Sequence, residues 1–96
     1  MTWVLITHAV DDWTAWKQVF DDAAGIRAAA GERDFQVLRD EADPSTVVHL
    51  SRWPSQAAAR AFFESPELVR IRREAGVHAP DFRYLAEADR GVLGAS

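Results

Sequence analysis

The 96-residue chain contains no cysteine and no asparagine. Without cysteine there is neither a disulfide framework nor a thiolate metal site, so stability has to come from packing, and a reducing cytoplasm is the expected setting. Long apolar runs are missing as well. No stretch nears the roughly 20 residues that a membrane helix needs, and the amino terminus shows no basic region followed by an extended apolar core. Neither membrane insertion nor export is therefore expected. Positive charge is scarce: eleven Lys and Arg against fifteen Asp and Glu give a formal net charge of -4. A surface made to bind phosphates needs the opposite balance, so nucleic acid is not an expected partner. Arg70, Arg72 and Arg73 do cluster, but Val69 and Ile71 alternate with them, which reads as the solvated face of a helix. There is also no glycine-rich phosphate loop, no nucleophile elbow and no pair of histidines one helical turn apart, so no metal site is expected.

What is present is strongly patterned. Thr2 to Val10 is rich in β-branched and aromatic residues and reads as a strand with Trp3, Leu5 and Thr7 on one face and Val4, Ile6 and His8 on the other. Asp11 or Asp12 can cap the helix that follows, predicted to run to about Ala30 with Trp13, Trp16, Phe20, Ala23 and Ile26 on the stripe that meets a sheet. Gly31 is its natural stop. Arg33 to Asp40 and Ser45 to Trp53 read as a hairpin closed by Glu41-Ala42-Asp43-Pro44. On the second of these strands Val47, His49, Ser51 and Trp53 share a face that suits a pocket wall, apolar with a few polar groups. Pro54 and Ser55 open a second helix that Ser65-Pro66-Glu67 breaks and restarts, and Gly76 ends it. Val77 to Pro80 is predicted as a connector, Asp81 to Glu87 as a final strand, and residues 91–96 as a loose tail to a single domain of residues 1–90.

The order strand, helix, strand, strand, helix, strand predicts an α+β, ferredoxin-like βαββαβ fold. Its four-stranded antiparallel sheet has both helices on one face. The other face is left bare, with Trp3 and Leu5 or Val4 and Ile6 on it beside members of the Val47, His49, Ser51, Trp53 set. Covering it with a second copy of the chain would make a homodimer.

Several stretches carry a resemblance: Val10-Asp11-Asp12-Trp13 with Trp16-Lys17 and Phe20-Asp21, Gly31, Asp43-Pro44, Trp53, and Phe62 through Ser65-Pro66-Glu67-Leu68 to Ala75-Gly76-Val77 and Pro80. Together they resemble small bacterial proteins of the dimeric α+β barrel superfamily, in the branch of antibiotic biosynthesis monooxygenase-like proteins and small polyketide cyclases. The resemblance spans nearly the whole chain and rests mainly on structural motifs. It implies a cavity for a small aromatic or polyketide-like ligand and chemistry without a cofactor. Haem-degrading members of the superfamily use an asparagine, a tryptophan and a helical histidine. Here asparagine is absent and Phe62 and Arg72 stand at the other two positions, so haem oxygenation is not implied. An RNA-recognition domain shares the order of elements, but Val47-Val48-His49-Leu50 lacks its stacking aromatics and basic residues.

Histidine is the side chain suited to take a proton from a phenol or an activated methylene near neutral pH, so His49, His8 and His78 are the catalytic candidates. His49 is in mid-strand among apolar neighbours, His8 near the end of the first strand, and His78 in the predicted connector. Trp53 and Tyr84 are candidates for contacting an aromatic ligand, Ser51 for a polar point on the same wall, and Arg83 for holding a carboxylate or an oxyanion. The anion formed on deprotonation can close a ring by aldol chemistry or pass an electron to oxygen. A non-catalytic ligand carrier or structural dimer remains the alternative.

Overall fold

The computed structural model describes residues 1–94; the last two residues of the predicted tail lie outside it. The elements follow in the order β1 (Thr2–Val10), α1 (Trp13–Asp22), α2 (Ala24–Ala30), β2 (Asp34–Arg39), β3 (Thr46–Trp53), α3 (Gln56–Phe63), α4 (Pro66–Glu74) and β4 (Val77–Ala86). The sheet is antiparallel with strand order β2-β3-β1-β4, so the chain has the expected ferredoxin-like arrangement. Residues 87–94 form no helix or strand. No helix among the described residues is long and apolar enough to cross a membrane.

Alternation along the two central strands decides which face the helices cover. Val4, Ile6, His8 and Val10 of β1 and Val47, His49, Ser51 and Trp53 of β3 are all buried, and the register pairs Val4 with Ser51 and Ile6 with His49. These residues share the helix-covered face. One core cluster joins Val4, Ile6 and Trp53 to Ala59 and Phe63 of α3, and a second joins Val10 and Val47 to Trp16 and Phe20 of α1. The expectation that members of the Val47, His49, Ser51, Trp53 set lie on the bare face is thereby overturned. A period of two gives both chains of a pair the same facing, and His49 goes where Ile6 goes. The open face instead carries Trp3, Leu5, Val48, Leu50, Leu38 and Leu85, with the ion pairs Arg52–Asp34 and Arg83–Asp81 among them.

Capping follows the sequence closely. The Asp12 carboxylate accepts from Ala15 N at 3.1 Å, Ser55 Oγ from Ala58 N at 3.1 Å, and Ser65 Oγ from Leu68 N at 3.2 Å. The predicted first helix, however, is two helices. Ala23, with φ -85° and ψ 2°, ends α1, and the chain restarts as α2. Ile26, placed on the buried stripe, is 43% exposed, and Arg27, about two helical turns beyond Phe20 on the same face, is buried in its stead. The predicted connector of residues 77–80 is also corrected: it belongs to β4, whose pairing with β1 shifts register between Thr7 and Ala9. Such a bulge hides a strand from a period-two reading.

Candidate active site

Between the helical layer and the sheet lies a cavity with about 530 Å³ free of atoms, counting its mouth, of which about 70 Å³ can hold the centre of a water molecule. Its walls are mainly aromatic and aliphatic: Trp16, Phe20, Phe62, Phe63, Ile71 and Phe82 are prominent. Four side chains with polar chemistry reach it, His8 from β1, His49 from β3, Arg27 from α2 and Arg72 from α4.

His49 is held in place by a carboxylate. Its Nε2 lies 2.9 Å from Glu32 Oε2, and both side chains are about 5% exposed. The same oxygen accepts from Ser51 Oγ, while Glu32 Oε1 accepts from Arg27 Nε at 2.7 Å. Ser51 Oγ in turn accepts from Trp53 Nε1 at 2.6 Å, and Arg27 Nη1 donates to the Phe20 carbonyl. Three donors thus converge on one buried carboxylate. Burial by itself would raise the Glu32 carboxyl, but the hydrogen bonds from His49 and Ser51, the attraction of His49 and the bond from Arg27 outweigh it and hold the group below its usual range. An ionised carboxylate carries no hydrogen, so His49 Nε2 must bear the proton of that bond, leaving Nδ1 as the ring's basic lone pair. Nδ1 has no hydrogen-bond partner among the described residues.

Local structure explains why Glu32 arrives there. Gly31 takes φ 130° after α2, and Glu32 N bonds back to Arg27 O at 3.0 Å, which folds the chain sharply under the helix end. Gly31 also lies close to the indole, since a Cβ built on it would stand 3.3 Å from Trp53 Cε3.

His8 is different in kind. It is 6% exposed, sits 5.4 Å from the Trp16 ring centroid, and has no partner among the described residues for either Nδ1 or Nε2. Burial first, then the positive charges of His49 and Arg72, lower its pKa from 6.5 to about 4, so it is a neutral imidazole at physiological pH.

The structure brings His8, His49, Ser51 and Trp53 together, with Ser51 and Trp53 supporting Glu32 behind the cavity wall. It does not bring the others. His78 lies on β4 opposite Ala9, exposed, and bonds Asp11 Oδ1 at 2.7 Å. Arg83 is exposed on the open sheet face and paired with Asp81. Tyr84 shares the helix-side face but packs under Arg60, whose guanidinium stands 4.2 Å from its ring. Glu32 and Arg27 are the residues the sequence reasoning missed. The available signal was an acidic residue directly after a helix-ending glycine, a position that this turn directs inward. Arg72 was read with a solvated face; Arg70 and Arg73 are exposed as expected, but Arg72 turns to the cavity and donates to Phe63 O at 2.8 Å.

A ferredoxin-like sheet with a cavity under its helices is the subunit architecture of the dimeric α+β barrel superfamily. Sequence comparison narrows the class: the profile of the antibiotic biosynthesis monooxygenase family matches residues 5–74, and the chain belongs to that family. No curated protein matches it significantly. Among solved structures, it is similar to SnoaB, a cofactor-independent oxygenase from Streptomyces nogalater. The TM-score is 0.73 and the identity 16%, over 98% of this chain and 97% of that one. It is also similar to a Streptomyces coelicolor monooxygenase in complex with nanaomycin D, with a TM-score of 0.63 and 20% identity over 99% and 92% of the two chains. At these identities the likeness speaks for the fold alone.

Proposed function

We propose that this protein is a cofactor-independent monooxygenase acting on an aromatic or polyketide-like substrate, with His49 as general base. The observation that carries the reading is His49 held by ionised Glu32 on the wall of a mainly aromatic cavity. Glu32 keeps the hydrogen on Nε2 and stabilises the imidazolium formed when Nδ1 takes a proton, the part a carboxylate plays in a Ser-His-Asp triad. The substrate proton comes from a phenol or an activated methylene. The resulting anion passes an electron to dioxygen and the two recombine at carbon. One oxygen atom stays as a carbonyl and the other leaves as water, carrying the two hydrogens of the methylene. Family membership and the oxygenase names of the structural neighbours support this choice over ring closure.

Two chains pair through the open sheet face in this reading. The support is the apolar set Trp3, Leu5, Val48 and Leu50 on a face that no helix covers. A cysteine-free chain of this kind suits the cytoplasm. The test is oxygen uptake with an anthrone or poly-β-ketone substrate. Turnover that His49→Ala abolishes without unfolding the protein is the expected result. Binding without turnover across such a panel would replace the oxygenase by a ligand carrier, and a monomer at micromolar concentration in sedimentation would remove the dimer.

A further inference from the structure

Two polar groups in the cavity are left without a full complement among the described residues. Neither nitrogen of buried His8 makes a hydrogen bond to any of them. Arg72 uses one recorded donor, Nη1, on the Phe63 carbonyl, and its guanidinium stands 4.8 Å from the Phe82 ring centroid. Among the described residues no carboxylate pairs with it. A guanidinium has five N–H donors in a planar fork that matches a carboxylate, so most of its capacity is unspent.

Charge accounting around the cavity says what is missing. Arg27 is neutralised by Glu32 at 2.7 Å, His8 is neutral, and His49 enters the proposed reaction as the free base, with Nδ1 unprotonated. Arg72 therefore leaves the cavity one positive charge in excess, partly withdrawn from water. A neutral ligand leaves that charge unpaired and a cationic one adds to it, whereas a monoanion cancels it. His8 from β1 and Arg72 from α4 line the same cavity, so a ligand seated there is offered both. A neutral imidazole can donate one N–H to an anionic oxygen without repelling it. The remaining wall is set by aromatic rings, Phe63 and Phe82 lying 5.6 Å apart between centroids and Trp16 and Phe20 5.0 Å apart. Flat apolar surfaces of this kind take the face or edge of a planar ring.

We propose that the cavity takes an aromatic acid, a planar ring lying against the phenylalanine and tryptophan walls with its ionised carboxylate or phenolate oxygen held by Arg72 and His8. The inference rests on the oxygenase reading only in placing substrate in the same cavity. Arg72 is then a specificity-determining residue, choosing the charge of the ligand, while His49 and Glu32 attend to the proton.

The experiment compares 2-naphthoate with 2-naphthamide, equal in ring and shape but different in charge, using quenching of tryptophan fluorescence or calorimetry. The wild-type protein is expected to bind naphthoate about tenfold or more tightly than the amide, the discrimination of one charged hydrogen-bonded contact. Arg72→Gln should bring the two affinities within about twofold, and Arg72→Lys should keep part of the preference. Equal binding of acid and amide by the wild type overturns the inference, and so does a preference that survives in Arg72→Gln. Should Arg72→Gln fail to fold, the wild-type comparison extended to cationic 2-naphthylmethylammonium decides alone, the expected order being acid, amide, amine. Naphthoate preference with no oxygen uptake on any anthrone leaves this inference standing and removes the oxygenase. Oxygen uptake on neutral anthrones without naphthoate preference does the reverse.

Discussion

Replacing Glu32 by alanine tests the centre of the site. The carboxylate joins Arg27, His49 and Ser51, and the side chains of Arg27 and Glu32 are only 6% and 5% exposed. Removing it strands a buried guanidinium and leaves the donors of His49 and Ser51 unmatched. Breaking one partner out of a buried pair costs about 3 to 5 kcal/mol. In a domain of this length that corresponds to a fall in Tm of about 12 to 20 °C, at roughly 4 °C per kcal/mol. Urea unfolding at neutral pH, followed by tryptophan fluorescence, measures the loss directly. The same reasoning predicts non-additivity. Replacing Arg27 and Glu32 together by methionine and leucine removes the charge that alanine would strand, so the double variant should be more stable than the sum of the single losses predicts, by about 2 kcal/mol or more. A loss below about 1 kcal/mol in Glu32→Ala, or strict additivity in the double variant, would refute the claim that the pair is buried and mutually dependent.

Two further outcomes follow from the same geometry. Because the folded-state pKa of His8 is lowered to about 4 from 6.5, the unfolded chain binds more protons between those values. Stability should therefore rise with pH across that window, reach its plateau above 6.5, and be lost as pH falls, by about 3 kcal/mol in all. The pKa of Glu32 is lowered too, so its contribution disappears only further into acid, below 4.5. Urea unfolding at a series of pH values should show the slope above 4.5 flattened in His8→Gln; an unchanged slope contradicts the assignment. Gly31→Ala forces a side chain into φ 130° with its Cβ 3.3 Å from the Trp53 ring, and a loss of about 1 to 3 kcal/mol in the same assay is expected.

The fold was legible because its signals are local and repeated. Asp12, Ser55 and Ser65 cap as their types suggest, and the alternation in β1 and β3 is strict enough to set both faces once the register pairs Ile6 with His49. Three things escaped. The break at Ala23 comes two residues before Gly25, which weakens a helix without fixing where it ends, and the inward stripe passes from Phe20 to Arg27, a charged residue that hydrophobicity passes over in favour of Ile26. The bulge opposite Thr7 and Ala9 disguised the first part of β4 as a connector and made His78 a loop residue on paper. Glu32 belongs to neither periodic pattern; a charge next to a turn looks solvated until the turn is seen to fold inward. The histidines were selected by residue type, and geometry then separated the tethered one, the solitary one and the exposed one. Arg83 and Tyr84 are plausible by chemistry, but Arg83 falls on the open face, and Tyr84, though on the cavity's side of the sheet, packs under Arg60.

Helix α4 supplies Leu68, Ile71 and Arg72 to the cavity and yet has no fully buried residue of its own. Elements that bury little open at a lower free energy than those locked into a core. The opposite wall is fastened through Glu32, Ser51 and Trp53, so the two sides of the cavity differ in how readily they give way. On that ground α4 is expected to exchange its amide hydrogens sooner than β3, which carries His49. Loosening on the α4 side leaves the carboxylate and its histidine undisturbed, because both are anchored on the other wall.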